Sequence, residues 1–149
     1  MSTTTLAGIS AEEFAGILRR CGYRATVVEQ GGRTQVQSAA QGIGFFAAPG
    51  NRVQGDDTRF VDLALQSVIA IQGDLPPGLV EGFNRDMRFA RLFRAGDHLV
   101  LAMDIVLAGG VTEEHLCAQC ELWDRILRDF ILRLRIRPPL SADTPESAA

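Results

Sequence analysis

The chain of 149 residues, 46% of them hydrophobic, is long enough for one globular domain whose core needs neither a metal ion nor a disulfide for stability. All fifteen basic residues are arginines, which excludes catalysis by a lysine amine and binding by a phosphate-loop lysine. The net charge of −3 argues against a nucleic-acid partner, because affinity for nucleic acids depends on neutralising phosphates.

The sequence also predicts a cellular compartment. The first residues carry neither the basic stretch nor the apolar run of a signal peptide. No segment reaches the roughly 20 consecutive apolar residues of a membrane span. We therefore expect a cytoplasmic protein without a membrane partner. The three cysteines, Cys21, Cys117 and Cys120, are an odd number, which favours reduced thiols over a disulfide framework.

The first predicted element is a helix that begins after Ser10. Ser10 and Glu13 have the spacing of a capping box, in which the side chain of each accepts a hydrogen bond from the backbone N–H of the other. Gly22 is placed to end the helix in a left-handed conformation. The apolar residues in between recur at helical spacing: Phe14, Ile17, Leu18 and Cys21.

Four strands are predicted to follow this helix. Residues 24–29 and 34–39 flank Gly31 and Gly32, whose freedom to adopt positive φ predicts a hairpin. Residues 43–48 would add a third strand. The fourth, from Phe60 to Ile71, alternates apolar and polar residues, the pattern of a half-buried strand.

A short helix and a second hairpin come next. Leu79, Phe83 and Met87, each four residues apart, give the short helix a buried stripe. Residues 90–94 and 98–107 are predicted strands joined by a turn at Ala95-Gly96-Asp97. Every second residue of the later strand is apolar: Leu99, Leu101, Met103, Ile105 and Leu107.

The last predicted element is a long helix from Glu113 to Leu134. Its apolar seam recurs at spacings of three and four: Leu116, Cys120, Trp123, Leu127, Phe130 and Leu134. Leu122 and Ile126 extend the apolar arc to one flank, and Leu132 lies nearly opposite the seam. Because this arc exceeds what one sheet face needs, Leu122, Ile126 and Leu132 are the predicted contacts with a partner chain.

The order of these elements, α-β-β-β-β-α-β-β-α, contains no alternation of single strands and helices. It therefore predicts an α+β fold with a mostly antiparallel sheet packed by helices. We expect a flexible N-terminus over residues 1–8 and a single domain over residues 9–137. Pro138 and Pro139 stop the last helix, so residues 138–149 are expected to form a disordered tail.

One cluster carries residue types that bind metals or exchange thiols: His115, Cys117 and Cys120. A metal or thiol-redox protein is therefore the alternative function. A structural zinc site needs four ligands, and no fourth residue has a suitable spacing. Cys120 lies well inside the helical seam, so the simpler interpretation is two thiols on a core helix. We expect no bound metal and no cofactor.

Arginines recur at short spacing in two segments: Arg85, Arg88, Arg91 and Arg94, and then Arg133, Arg135 and Arg137. Guanidinium groups at such spacing could bind phosphates or the carboxylates of a partner. The first segment is split between a predicted helix and a predicted strand, so its side chains need not converge. The second lies beside the negative end of a helix dipole. A solvated surface is the simpler interpretation of both.

The second half of the chain resembles the YbjN family of bacterial sensory transduction regulators. Asn84, Arg88 and Phe89 match the N-x-x-x-R-F signature of that family, and Gly109-Gly110-Val111 matches the turn before its final helix. The resemblance implies a fold like that of type III secretion chaperones. It also implies a protein that is commonly dimeric and has no established catalytic site. For the signature, we expect Asn84 to bond backbone near the helix end and Phe89 to anchor the next strand in the core, with a recognition role as the alternative.

These observations together predict a protein that is not an enzyme. No nucleophile and base occur in a known catalytic motif, and Asp56 and Asp57 are explained by turn chemistry. We expect a protein-binding module, a sensory transduction regulator or chaperone-like adaptor that acts as a homodimer. Its partners would be a second copy of the chain and a client protein or peptide.

Overall fold

A computed structural model describes residues 4–135. Three helices are present among them: α1 (Ala11–Arg20), α2 (Leu79–Asp86) and α3 (Glu113–Arg135). The same residues form ten strands: β1 (Thr5–Leu6), β2 (Thr26–Gln30), β3 (Arg33–Ala40), β4 (Ile43–Pro49), β5 (Arg52–Val53), β6 (Asp56–Phe60), β7 (Asp62–Ala70), β8 (Arg91–Ala95), β9 (His98–Val106) and β10 (Val111–Thr112). None of these helices is long and apolar enough to cross a membrane.

Six of the strands form one antiparallel sheet in the order β2-β3-β4-β7-β9-β8. Along the chain, four strands of this sheet come between α1 and α2, and the other two come between α2 and α3. The predicted α+β class and element order are therefore confirmed. The strands β2 and β8 are the edges. Two short ladders, β1 with β10 and β5 with β6, lie outside the sheet.

Local sequence signals explain where α1 begins and ends. Ser10 Oγ accepts a hydrogen bond from the Glu13 N–H at 3.1 Å, and the Ser10 N–H donates to Glu13 Oε1 at 2.9 Å. This is the predicted capping box. Gly22, just past the helix, has a φ of 97°, a conformation that glycine adopts without strain.

The core lies between one face of the sheet and all three helices. Alternate residues of β7 and β9 point into it, among them Leu63, Leu65, Leu99, Leu101 and Met103. They share one cluster with the buried faces of α1, α2 and α3.

Two edge-to-face aromatic pairs join the elements of this core. The rings of Phe45 on β4 and Trp123 on α3 lie 5.8 Å apart, and those of Phe83 on α2 and Phe130 on α3 lie 5.9 Å apart. The predicted seam of α3 therefore packs against both the sheet and α2.

The prediction that Ile126 contacts a partner chain is wrong, because Ile126 is 2% exposed and belongs to the core. The helix α3 contacts α1 and α2 as well as β9. Three neighbours bury a wider apolar arc than a sheet face alone, so the breadth of the arc is used largely within the domain.

The fold begins earlier than predicted. Thr5 and Leu6 pair with Thr112 and Val111, and Gly8 is buried. The flexible N-terminus predicted for residues 1–8 is therefore wrong from Thr5 onward. Residues 1–3 and the predicted tail over residues 138–149 lie outside the described residues.

Candidate functional site

The face of the six-stranded sheet that points away from the helices is called here the open face. No helix among residues 4–135 packs on it. Phe93, Val100 and Val68 lie in one row over β8, β9 and β7, the three strands at one side of the sheet, because Phe93 pairs with Val100 and Val100 pairs with Val68. Large apolar side chains thus cross three neighbouring strands on an uncovered surface.

Exposure distinguishes this row from ordinary surface residues. Val68 is 47% exposed and Phe93 is 41% exposed, while Val100 between them is buried by its neighbours. Val106, farther along β9, is 59% exposed on the same face. Contiguous apolar side chains on a surface commonly mark a protein interface. The open face is therefore the leading candidate site.

The charged residues of the open face balance one another. It carries Arg33 and Arg91, and it carries Asp62 and Asp104. Arg91 Nη1 lies 2.9 Å from Asp104 Oδ2, so two of the four charges already form an ion pair within the face. A face without net charge suits an apolar or self-complementary partner better than a polyanion.

One edge of the sheet is closed by a side chain. Asn84 Nδ2 donates to the Leu92 carbonyl oxygen at 2.8 Å, and the Leu92 N–H donates to Asn84 Oδ1 at 2.8 Å. Strand β8 is an edge strand, and alternate residues of an antiparallel edge point their backbone polar groups outward. The Asn84 amide thus takes the position of a neighbouring strand and blocks pairing with another chain at this point.

Phe89 lies in the loop between α2 and β8 and is 61% exposed. The prediction that it anchors the next strand in the core is therefore wrong. Its φ is +76°, a left-handed conformation that is rare for a bulky residue. The Arg88 guanidinium lies 4.7 Å from the centre of its ring. A strained backbone that presents an aromatic side chain to the surface is typical of a functional position.

The cysteines are arranged differently from the predicted cluster. Cys21 forms a disulfide with Cys117, and their Cα atoms are 5.8 Å apart. The expectation of three reduced thiols is wrong because the end of α1 lies against the first turns of α3 at a distance that a disulfide can span. Cys120 is buried, and this burial raises the pKa of its thiol to about 12.

These positions do not support the metal alternative. Cys117 is bonded to Cys21, Cys120 lies in the core, and His115 is exposed. Within residues 4–135 no group of three or more His, Cys, Asp or Glu side chains is placed to share a metal ion.

The first arginine segment has separate contacts. Arg85 pairs with Asp86 on α2, and Arg91 pairs with Asp104 on the open face. Arg94 Nε donates to the Gly96 carbonyl oxygen at 3.1 Å. The arginines of this segment therefore do not build a joint phosphate site.

The second arginine segment is also divided. Arg133 Nη2 lies 3.2 Å from Asp86 Oδ2, and Arg133 Nε lies 3.1 Å from Asp129 Oδ2, so its charge is neutralised by α2 and by α3 itself. Arg135 is exposed, and Arg137 lies outside the described residues.

The remaining predicted contact residues lie at different depths. Leu122 is partly buried and packs against the core cluster, whereas Leu132 is 50% exposed.

Sequence reasoning missed Val68 and Phe93. A signal for this face exists in β9, where Val100, Ala102 and Val106 are apolar at the positions that alternate with the core residues.

Comparison with known proteins identifies the family. A family model, "YbjN: Putative bacterial sensory transduction regulator", matches residues 10–135. The structure is similar to the crystal structure of YbjN from E. coli, described as "a putative transcription regulator", with a TM-score of 0.65 and 12% sequence identity over 87% of this chain and 92% of that chain. At that identity the likeness shows a shared fold. No curated protein is detectably similar in sequence. Since the family model covers most of its length, the chain belongs to the YbjN family.

Proposed function

We propose that this protein is a non-enzymatic regulatory protein that forms a homodimer through the open face of its sheet. The observation that carries this proposal is the row of Phe93, Val100 and Val68 on a face that no described helix covers. Leaving such a row in water is unfavourable, and covering it releases roughly 25 cal/mol for each Å² of apolar surface. The family description, a sensory transduction regulator, supports a regulatory role.

A second copy of the chain is the occupant that the open face fits best. In a two-fold symmetric dimer the same patch meets itself, so it must be self-complementary. The open face meets this condition because its apolar row can pack on the same row of a second copy and its two arginines are balanced by two aspartates. Asn84 blocks the edge at Leu92, which favours face-to-face association over extension of the sheet through β8.

The dimer would leave the helical side of each protomer free for a client protein. In this role the protein acts in the cytoplasm as a chaperone-like adaptor whose dimer holds two client-binding surfaces in a fixed relation. Arg88 and Phe89, on the loop before β8, are part of the proposed recognition surface, since exposed aromatic and arginine side chains are enriched among residues that dominate binding energy.

Sedimentation equilibrium at tens of micromolar tests the dimer against a protomer mass of 16.2 kDa. We expect the native protein to be dimeric and Val68→Glu to be monomeric, because the carboxylate would be buried without a partner. Leu132→Glu is the matched control: Leu132 is a similarly exposed aliphatic residue on α3, away from the open face, and this variant should stay dimeric.

The outcomes separate the proposal from its alternatives. Circular dichroism must show that Val68→Glu is folded, and Phe93→Ser provides a second variant if it is not. A monomeric native protein, or a folded Val68→Glu variant that remains dimeric, would overturn the open-face dimer.

A further inference from the structure

The outer side of α3 carries a row that the fold does not use. Arg125, Arg128, Leu132 and Arg135 follow one another at spacings of three, four and three, which places them on one side of the helix. All four are exposed, and the buried residues Leu127 and Phe130 lie on the opposite side. These four residues are called here the arginine stripe.

The charges of the stripe are not neutralised within the described chain. Five other arginines form ion pairs with acidic side chains: Arg20, Arg59, Arg85, Arg91 and Arg133. By contrast, Arg125, Arg128 and Arg135 form no ion pair and no side-chain hydrogen bond with any residue from 4 to 135.

The acidic residues closest to the stripe along α3 are mostly engaged elsewhere. Asp124 accepts a hydrogen bond from Gln41 Nε2 at 2.8 Å, and Asp129 is bound by Arg133. Glu121 is exposed and lies one turn before Arg125, at the start of the stripe. Beyond Glu121, toward the end of α3, the stripe presents three guanidinium groups around one exposed leucine.

This composition favours one class of partner. A guanidinium group remains charged at any physiological pH and matches a carboxylate with two parallel hydrogen bonds. Leu132 is 50% exposed, and burying it requires an apolar group on the partner. A protein segment can offer carboxylates and an apolar side chain together, whereas a phosphate backbone offers only the charge.

We propose that the arginine stripe is the docking site for an acidic segment of a partner protein, with one apolar residue set among its carboxylates. The stripe spans about 15 Å from Arg125 to Arg135 at 1.5 Å per residue, the length of roughly three helical turns. It lies on α3, away from the open face, so the site remains accessible in the proposed dimer. The inference rests on the proposed protein-binding role and is independent of dimer formation.

Fluorescence anisotropy with a labelled peptide tests this proposal. The probe is a short helical peptide with three glutamates around one leucine, and its matched counterpart has lysine in place of each glutamate. We expect the native protein to bind the glutamate peptide and not the lysine peptide. Affinity should fall as salt is added, because the contacts are exposed charges.

Variants with matched charge identify the site. Arg125→Gln combined with Arg128→Gln should weaken binding about tenfold or more, since two charge-assisted contacts are lost. Arg24→Gln combined with Arg52→Gln removes the same charge from exposed arginines elsewhere and should leave affinity within about twofold. Leu132→Ser should weaken binding without any change in charge.

Three results would overturn the proposal. One is the absence of glutamate-peptide binding to the native protein, and another is equal weakening by the stripe variant and the control variant. The third is tighter binding of a duplex DNA probe that the stripe variant abolishes, which would assign the stripe to nucleic acid. Sedimentation of the same samples reports the dimer separately, so failure of the open-face interface and failure of the stripe are distinguishable.

Discussion

Asn84 and Leu92 are joined by two hydrogen bonds of 2.8 Å, one in each direction between the Asn84 amide and the Leu92 backbone. The contact ties the last turn of α2 to the start of β8. It fixes the loop between them at both ends, and that loop carries Arg88 and Phe89. The first residue of the N-x-x-x-R-F signature therefore positions the other two and closes the sheet edge.

Asn84→Ala should lower the free energy of unfolding by about 1–3 kcal/mol, because two backbone groups of Leu92 lose their partners. Asn84→Asp should be intermediate, since a carboxylate still accepts from the Leu92 N–H but cannot donate to its carbonyl. Urea unfolding monitored by circular dichroism measures both variants. A stability of Asn84→Ala equal to that of the native protein would show that water replaces the amide without cost.

Phe89 should behave as a surface residue under backbone strain. Its φ of +76° is unfavourable for any side chain and free of cost for glycine. We expect Phe89→Gly to match or exceed the native stability by up to about 1 kcal/mol, and Phe89→Ala to be less stable than Phe89→Gly. Thermal unfolding compares the three proteins. A loss of about 3 kcal/mol or more in Phe89→Gly would instead indicate a core anchor.

The parts of the fold that the sequence predicted are those with long periodic patterns. The strand β9 and the helices α1 and α3 follow their apolar spacing because burial of one face determines both the spacing and the structure. The two-residue ladders β1 with β10 and β5 with β6 were missed. A ladder of two residue pairs is too short to show a periodic pattern in the sequence. Its pairing depends on contacts that only the folded chain creates.

The site was harder to predict than the fold, and particular residues show why. Phe89 is aromatic and was therefore expected inside, but the loop geometry turns it outward. Ile126 lies on the flank of α3, and its burial depends on α1 and α2, whose positions the periodicity of α3 cannot reveal. The pairing of Cys21 with Cys117 likewise depends on the packing of α1 against α3 and on no local pattern.

Two serines on the sheet should respond in opposite ways to the same substitution. Ser38 Oγ is buried without a hydrogen-bond partner in the described chain, whereas Ser67 Oγ donates to the Gly44 carbonyl oxygen at 3.0 Å. Ser38→Ala should be neutral or stabilising, and Ser67→Ala should cost about 1 kcal/mol. Urea unfolding measures both. A destabilised Ser38→Ala variant would indicate a bound water at that hydroxyl.

The Cys21–Cys117 disulfide should stabilise the oxidised protein. It closes a loop with a sequence separation of 96 and thereby restricts the unfolded chain. Reduction, or replacement of both residues by serine, should lower the free energy of unfolding by about 2–4 kcal/mol.

Alkylation under denaturing conditions checks the pairing itself. The oxidised protein should label at Cys120 alone, and the reduced protein at all three cysteines. A reductant should not change the stability of the double serine variant. Labelling of three cysteines in protein purified under air would contradict the disulfide.

The ion pair between Arg20 and Glu113 joins the same two helices and should make stability depend on pH. Arg20 Nη2 lies 2.8 Å from Glu113 Oε1, and hydrogen bonds from Arg20 hold the pKa of the Glu113 carboxyl below its usual value of 4.5. A carboxyl whose pKa is lowered by folding stabilises the protein at pH values above its unfolded pKa, and the effect is lost as pH falls through the folded pKa. Glu113→Gln should therefore be less stable than the native protein at neutral pH and equally stable in acid. Urea unfolding at neutral pH and well below pH 4.5 measures the two differences.

Glu114→Gln removes a neighbouring carboxylate that contacts no described arginine and controls for the lost negative charge. A Glu113→Gln deficit that persists unchanged in acid would assign the loss to helix packing rather than to the charge.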